Sequence, residues 1–407
     1  MISDIRRNHL MITGLTPRHY QRSFASEIDW SSPVIGLCGP RGVGKSTLLI
    51  QKYWTDYADH TRCLYVSADH ISVADRSLFS IAEEFYGTGG ETLILDEVHR
   101  ADNWQKQVKS IIDTFRNKRL WLSGSSSAAL TGRGADLSRR VPWYDMPGLS
   151  FREYLDFSNK IKSPTYALED ILKHHVAIAN ELLSKKIPVL QLFNQYLNHG
   201  YYPFFLEGLS TFELKIHAVL EKIVSEDIPA VFHVTPTSTP HLKRMIRMIA
   251  TSKPFQPNIE GMANDLGIAR DSVYHFLECL EKSKVIRSVR SPGSGGKKAR
   301  KPAKILLENT SLLSTIVGGE SLLAERGALR ETFFASQLPT SMPATTGSSV
   351  DFIIQKTIGV EVGGANKKDE QLKRETIKYL TLKIIAQDGI EVGGGNVVPL
   401  YLFGFLR

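Results

Sequence analysis

CGPRGVGKSTLL, residues 38–49, decides how the rest of the chain is read. Its core, Gly39-Pro40-Arg41-Gly42-Val43-Gly44-Lys45-Ser46, fits the phosphate-loop pattern G-x-x-x-x-G-K-[ST]. The glycines allow backbone N–H groups to close around phosphate oxygens. The pattern requires a strand before it and a helix after it, and the apolar run Pro33–Cys38 and the helical stretch Ser46–Trp54 supply both. The helix would aim its positive end at the phosphates. The expected nucleotide contacts are therefore Gly39, Pro40, Arg41, Gly42, Val43, Gly44, Lys45, Ser46 and Thr47. Lys45 would reach the β/γ-phosphates, and the Ser46 hydroxyl would ligate Mg2+.

Further along, Thr92-Leu93-Ile94-Leu95-Asp96-Glu97 reads as a buried strand that ends in two acids. Asp96 is expected to hold the magnesium through water, and Glu97 to orient or deprotonate the attacking water. That role for Glu97 separates a hydrolase from a P-loop kinase. The next strand ends Leu122-Ser123-Gly124-Ser125, where a polar side chain would touch the γ-phosphate and the lytic water. Ser125 is favoured and Ser123 is the alternative. Arg133, Arg139 and Arg140 follow, and an arginine in this region often reaches a nucleotide, its own or a neighbour's.

Around these motifs, Pro33–Cys38, Cys63–Ser67, Thr92–Leu95 and Leu120–Ser123 read as strands of a parallel sheet. Helical patterns follow the first, third and fourth, which makes residues 1–150 an α/β doubly wound domain. A break falls at Pro142–Gly148, and residues 151–240 read as a helical connector. Residues 241–308 carry helical patterns at Leu242–Ala250, Ile259–Leu266 and Arg270–Lys282, with Gly267-Ile268 as the turn of a helix-turn-helix. Strands Val285–Val289 and Lys304–Leu307 would form a wing around the loop SPGSGGKKARKP (291–302). Residues 309–407 read as a further α/β domain.

The 407 residues are 42% hydrophobic, without an apolar run near the ~20 residues of a membrane helix and without a signal-peptide pattern. A cytoplasmic protein is expected. Cys38, Cys63 and Cys279 are far apart and lack metal-ligand spacing, so they are read as reduced. The net charge of +8 is uneven. Lys284, Arg287, Arg290, Lys297, Lys298, Arg300, Lys301 and Lys304 fall in one stretch without an acid. Such a run suits a polyanion or is a solvated loop. Arg270, Ser272, Tyr274 and His275 would face a major groove and the wing lysines would meet phosphates, so DNA is an expected partner through residues 270–304. The other reading of this module is a lid or docking element without DNA contact.

Taken together, CGPRGVGKSTLL (38–49), LYVSADH (64–70), LILDEVHRADNWQKQVKSIID (93–113), LWLSGSSSAAL (120–130), DLSRRV (136–141), PGLSFREYL (147–155), HGYYPFF (199–205), KPAKILLENTSLL (301–313) and SSVDFIIQKTIGVEV (348–362) resemble bacterial and archaeal AAA-type ATPases. Those proteins carry a winged helix and a C-terminal restriction-nuclease-like domain of uncharacterised function. The resemblance implies an AAA+ type P-loop fold with ATP and Mg2+, and it favours Arg140 over Arg139. In the C-terminal domain Glu331, Asp351 and Glu361 resemble the acids of a PD-(D/E)xK core, but Gly363 stands where that core has its lysine. Lys367 and Lys368 are the nearest substitutes, and a degenerate nuclease is expected. The expected function is Mg-dependent ATP hydrolysis that drives a conformational switch, possibly on DNA and in a homo-oligomer. An ATP-regulated DNA-binding or adaptor protein is the alternative, and an ATP-gated metal-dependent nuclease a third.

Overall fold

The strands Val34–Cys38 (β1), Cys63–Ser67 (β2), Thr92–Asp96 (β3), Arg119–Ser123 (β4) and Trp143–Asp145 (β5) form one parallel sheet in the order β2-β3-β4-β1-β5. The computed structural model describes residues 2–407 apart from 58, 60, 125–136, 138, 233, 253–256, 292–301, 319–325, 348 and 368–378. The chain divides into two compact units, Met1–Gly148 and Leu149–Arg407.

In the first unit, β1, β2 and β3 are buried along almost their whole length, as expected of strands covered on both faces. Helices α1 (Ile2–Leu15), α2 (Lys45–Asp56), α3 (Leu78–Gly87) and α4 (Trp104–Thr114) accompany the sheet. Leu64, Val66, Ile81, Phe85, Leu93, Leu95, Val108 and Leu122 share its core. Two features depart from expectation. A helix, α3, also follows the second strand. It is capped by Ser77, whose hydroxyl accepts from the Ser80 N–H, but a ten-residue irregular connection separates it from β2. The break at Pro142–Gly148 holds a fifth strand, β5, three residues long and only half-buried, too short to show a period. Trp143 lies directly over Gly36, where a Cβ would come within 2.1 Å of the indole ring. Glycine on the neighbouring strand is what lets β5 pair.

The second unit begins with a Ser150–Glu153 capping box on the helix Phe151–Asn159, followed by helices Leu168–Ser184, Val189–His199 and Phe212–Lys222. Helices Thr239–Ala250, Ile259–Leu266 and Arg270–Lys282 come next, with Gly267 in the left-handed region (φ 68°) between the last two. Strands Ile286–Val289 (β6) and Lys304–Leu307 (β7) pair antiparallel. A four-stranded sheet follows, in the order β11-β10-β9-β8, from Phe352–Ile354 (β8), Ile358–Gly363 (β9), Leu382–Gln387 (β10) and Val397–Pro399 (β11). Only the β8–β9 pair is antiparallel. Phe151, Phe193, Tyr196, Phe333, Tyr401 and Phe405 pack edge to face in one aromatic core. That core joins the first helix of the unit to the last turn of the chain. The segments 151–240, 241–308 and 309–407 therefore share a single compact unit. The helix expected over Lys367–Tyr379 falls mostly outside the described residues.

Candidate functional site

The loop that leaves β1 turns back on itself through Gly39 (φ 136°) and Gly44 (φ 94°). Gly39 admits no side chain on steric grounds as well, because a Cβ would meet the Met146 carbonyl oxygen at 2.2 Å. Lys45 folds over the loop, with its Nζ donating to the carbonyls of Gly39 (3.0 Å) and Pro40 (2.8 Å). Burial pulls its pKa down, and the nearby carboxylates of Glu97 and Asp96 oppose that pull. Arg22, itself buried, braces the loop by donating to the Val43 carbonyl at 2.7 Å and to the carbonyls of Pro147 and Gly148 at 2.9 and 3.1 Å. Ser46 and Thr47 stand in the first turn of α2, half-buried. Nothing in the sequence motif singles out Arg22, which lies outside it.

Because β4 lies between β1 and β3, three strand ends converge beside the loop. Asp96 is buried and both its oxygens are engaged. The Ser123 hydroxyl donates to Oδ1, and the Tyr65 phenol donates to Oδ2 at 2.6 Å. Ser123, the alternative to Ser125 in the sequence reading, thus stands against Asp96 at the end of β4, while Ser125 and Arg133 lie outside the described residues. Glu97 follows with a left-handed backbone (φ 51°), uncommon for a residue with a Cβ and costly enough to mark a constrained position. Its Oε2 is buried without a hydrogen bond, 3.6 Å from His99 Nε2 and 4.0 Å from Arg41 Nη1. Burial raises its pKa, against the pull of Lys45. Tyr65 and His99 were not among the expected site residues. Tyr65 reads simply as a core aromatic in its strand, and its partner is 31 residues away.

Arg140 donates to both carboxylate oxygens of Asp113, at 3.2 and 3.4 Å. Asp113 is near the C-terminal end of α4, which runs back from the end of β3 toward the start of β4. Arg140 therefore stands at the edge of the sheet opposite the phosphate loop of its own chain.

In the second unit, Glu331, Asp351 and Glu361 come together with two lysines among them. Lys304 of β7 pairs with Glu331 and, at 3.1 Å, with Asp351, and it lies over the Phe352 ring. Lys367 Nζ is 2.6 Å from Glu361 Oε1, and its stem covers Gly363, where a Cβ would meet Lys367 Cγ at 2.4 Å. The cation expected to be missing at position 363 is thus supplied from Lys367, which folds back over the glycine, while Lys368 lies outside the described residues. Lys304, read in sequence as part of the basic wing, faces inward. Arg287 and Arg290 of the same run also meet acids, Glu308 and, at 3.7 Å, Glu281. Among the described residues, no group of three or more His, Cys, Asp or Glu side chains is placed to hold a metal ion. Nor is any described helix long and apolar enough to cross a membrane.

Residues 31–155 match the AAA domain family, and residues 190–322 match a domain of unknown function, DUF8612. The uncharacterized protein MJ1637 of Methanocaldococcus jannaschii is 28% identical, the match covering 92% of this chain and 84% of that protein. Among solved structures, the Walker-type ATPase PABY2304 of Pyrococcus abyssi is similar at 12% identity and a TM-score of 0.41, over 75% of this chain and 99% of that one. AMPPCP-bound DnaA from Aquifex aeolicus is similar at 15% identity and a TM-score of 0.25, over 70% and 90%. The N-terminal part of the chain is accordingly an AAA-type P-loop ATPase domain.

The buried acids make a prediction about pH. Burial, with Asp351 adding repulsion, raises Glu331 and Glu361 to about 7. Between the ordinary glutamate pKa and about 7, the folded unit then binds more protons than the unfolded chain, so these groups favour the fold in mild acid. That contribution is lost as pH rises through about 7. The thermal midpoint of the full chain should therefore fall less steeply from about pH 5 to about pH 8 in Glu361→Gln and Glu331→Gln than in the wild type. Identical slopes in all three proteins, followed by circular dichroism, would show that the two carboxyls titrate normally.

Proposed function

We propose that the N-terminal unit binds Mg-ATP and hydrolyses it, and that this turnover drives a conformational switch. The observation that carries the reading is Glu97, a buried carboxylate with an unbonded oxygen, held at the end of β3 within 4.0 Å of a phosphate-loop side chain. Desolvation makes a carboxylate a stronger proton acceptor, which suits a group that orients or deprotonates water. The loop N–H groups and Lys45 would hold the phosphates, whose charge would draw the ammonium away from the Gly39 and Pro40 carbonyls. Ser46 and Asp96 would hold Mg2+, which would neutralise phosphate charge when bound. Tyr65 and Ser123 orient Asp96 for that task by fixing both of its oxygens.

Arg140 is proposed to act on a nucleotide held by a neighbouring copy. It lies at the wrong edge of the sheet to reach its own loop, and an exposed arginine at such an edge can be presented to another protomer. The helices Ile259–Leu266 and Arg270–Lys282 with the β6–β7 hairpin support a winged helix-turn-helix over residues 241–308. DNA is its proposed partner. With Arg287, Arg290 and Lys304 turned to acids, that proposal rests on Lys297, Lys298, Arg300 and Lys301, which lie outside the described residues. The C-terminal acids, neutralised by Lys304 and Lys367, are proposed to serve as a scaffold rather than a nuclease.

Three measurements follow from this reading. Lys45→Ala should abolish tight ATP binding by titration calorimetry, whereas Glu97→Gln should keep binding and slow turnover. Equal ATP affinity in Lys45→Ala and wild type would sink the assignment. Arg140→Ala should lower turnover by roughly 10³-fold or more if it acts as a finger. Mixing it with Glu97→Gln subunits should then restore part of the rate. No restoration in mixed assemblies that demonstrably form would exclude action between subunits. Replacing Lys297, Lys298, Arg300 and Lys301 with alanine should flatten the log–log salt dependence of duplex-DNA binding by about 0.9 per lost contact. If the wild type shows no DNA binding at low salt, the module is a protein dock.

A further inference from the structure

Arg41 belongs to the phosphate loop, yet its guanidinium faces Glu97, with Nη1 4.0 Å from Oε2. The same carboxylate oxygen is buried, has no hydrogen bond, and stands 3.6 Å from His99 Nε2. Glu97 is thus flanked by a loop residue on one side and by its own following turn on the other. Its backbone is held in the left-handed region. Both charged loop side chains are therefore engaged by protein groups, Lys45 by two carbonyls and Arg41 by a carboxylate.

A terminal phosphate seated in the loop would compete with Glu97 for Arg41. It would compete well, because it carries more charge than a carboxylate and its oxygens match the guanidinium fork. The Arg41–Glu97 contact is long and makes no hydrogen bond, so little holds the arginine back. ADP lacks the terminal group and would not draw it. We propose that Arg41 is an exchange residue: it holds Glu97 until a γ-phosphate takes its place, so that ATP, and not ADP, releases Glu97 to the attacking water. His99 then remains beside Glu97 as the positioning residue that keeps the released carboxylate at the end of β3. This inference rests on the ATPase reading and adds a nucleotide-state sensor to it.

The exchange has a thermodynamic signature that needs no turnover. Removing the Glu97 charge frees Arg41 for phosphate, so Glu97→Gln should tighten a non-hydrolysable imido analogue of ATP relative to ADP. Part of that gain is simple relief of repulsion between Glu97 and phosphate. The two parts separate in a double-mutant cycle with Arg41→Ala. If Arg41 exchanges, the gain in analogue-over-ADP preference from Glu97→Gln should be about threefold to tenfold larger with Arg41 present than with alanine there. A static pair predicts the opposite order, because Arg41 would screen Glu97 in both nucleotide states and its loss would expose the full repulsion. Titration calorimetry with Mg2+ on the four full-length proteins measures all the terms, and Arg41→Gln replaces Arg41→Ala if the latter does not fold. A gain that is equal or smaller with Arg41 present overturns the exchange while leaving the ATPase reading intact. Failure of the wild type to bind either nucleotide removes both.

Discussion

Parallel pairing of β3, β4 and β1 is the constraint on which the candidate site depends. Strands that run the same way end at the same edge, so the phosphate loop after β1, the acids after β3 and Ser123 at the tip of β4 are delivered to one place. The buried backbone of each strand leaves no freedom to slide, since a one-residue slip would reverse every side chain. The contacts at the site follow from this. Ser123 reaches Asp96 because β4 is the strand between, and Tyr65 reaches it from β2 on the other side of β3. Without the sheet, residues 45, 65, 96 and 123 have no reason to meet.

The parts of this arrangement that could be read from sequence were those carried by consecutive residues. The loop, its flanking strand and helix, and the Asp96–Glu97 pair each sit within a dozen residues and carry their own geometry. What could not be read depends on long-range contact. Tyr65 looks like any strand aromatic, and Arg22 like any surface cation, until the fold sets them against Asp96 and Val43. β5 was missed because three half-buried residues carry no period, and its place beside β1 depends on Gly36 lacking a side chain. Helix α3 was missed because the chain wanders before it starts. In the second unit the helical module was legible in its helix boundaries and its Gly267 turn, but its compact joining with the C-terminal sheet was not.

Charge was the least legible property. A run of eight basic residues suggests an open cationic surface, yet three of them turn to acids supplied by other segments. Burying Lys304 among Glu331, Asp351 and Phe352 is tolerable only because the opposite charges come with it. Likewise, a glycine in place of a lysine suggested a missing cation, whereas the glycine is what gives Lys367 room to lie across β9. The side chain moved along the sequence while its charge stayed near the acids.

Arg22 is a tie rod. One end of its guanidinium grips the Val43 carbonyl in the phosphate loop, and the other grips the carbonyls of Pro147 and Gly148, the last residues before the chain leaves the first unit. The rod is buried, so water cannot readily replace its bonds. A loop that shifts to fit its ligand must therefore either strain this anchor or carry the exit of the chain along with it. The tether to everything beyond residue 148 is thereby loaded at the point where phosphate would be felt first.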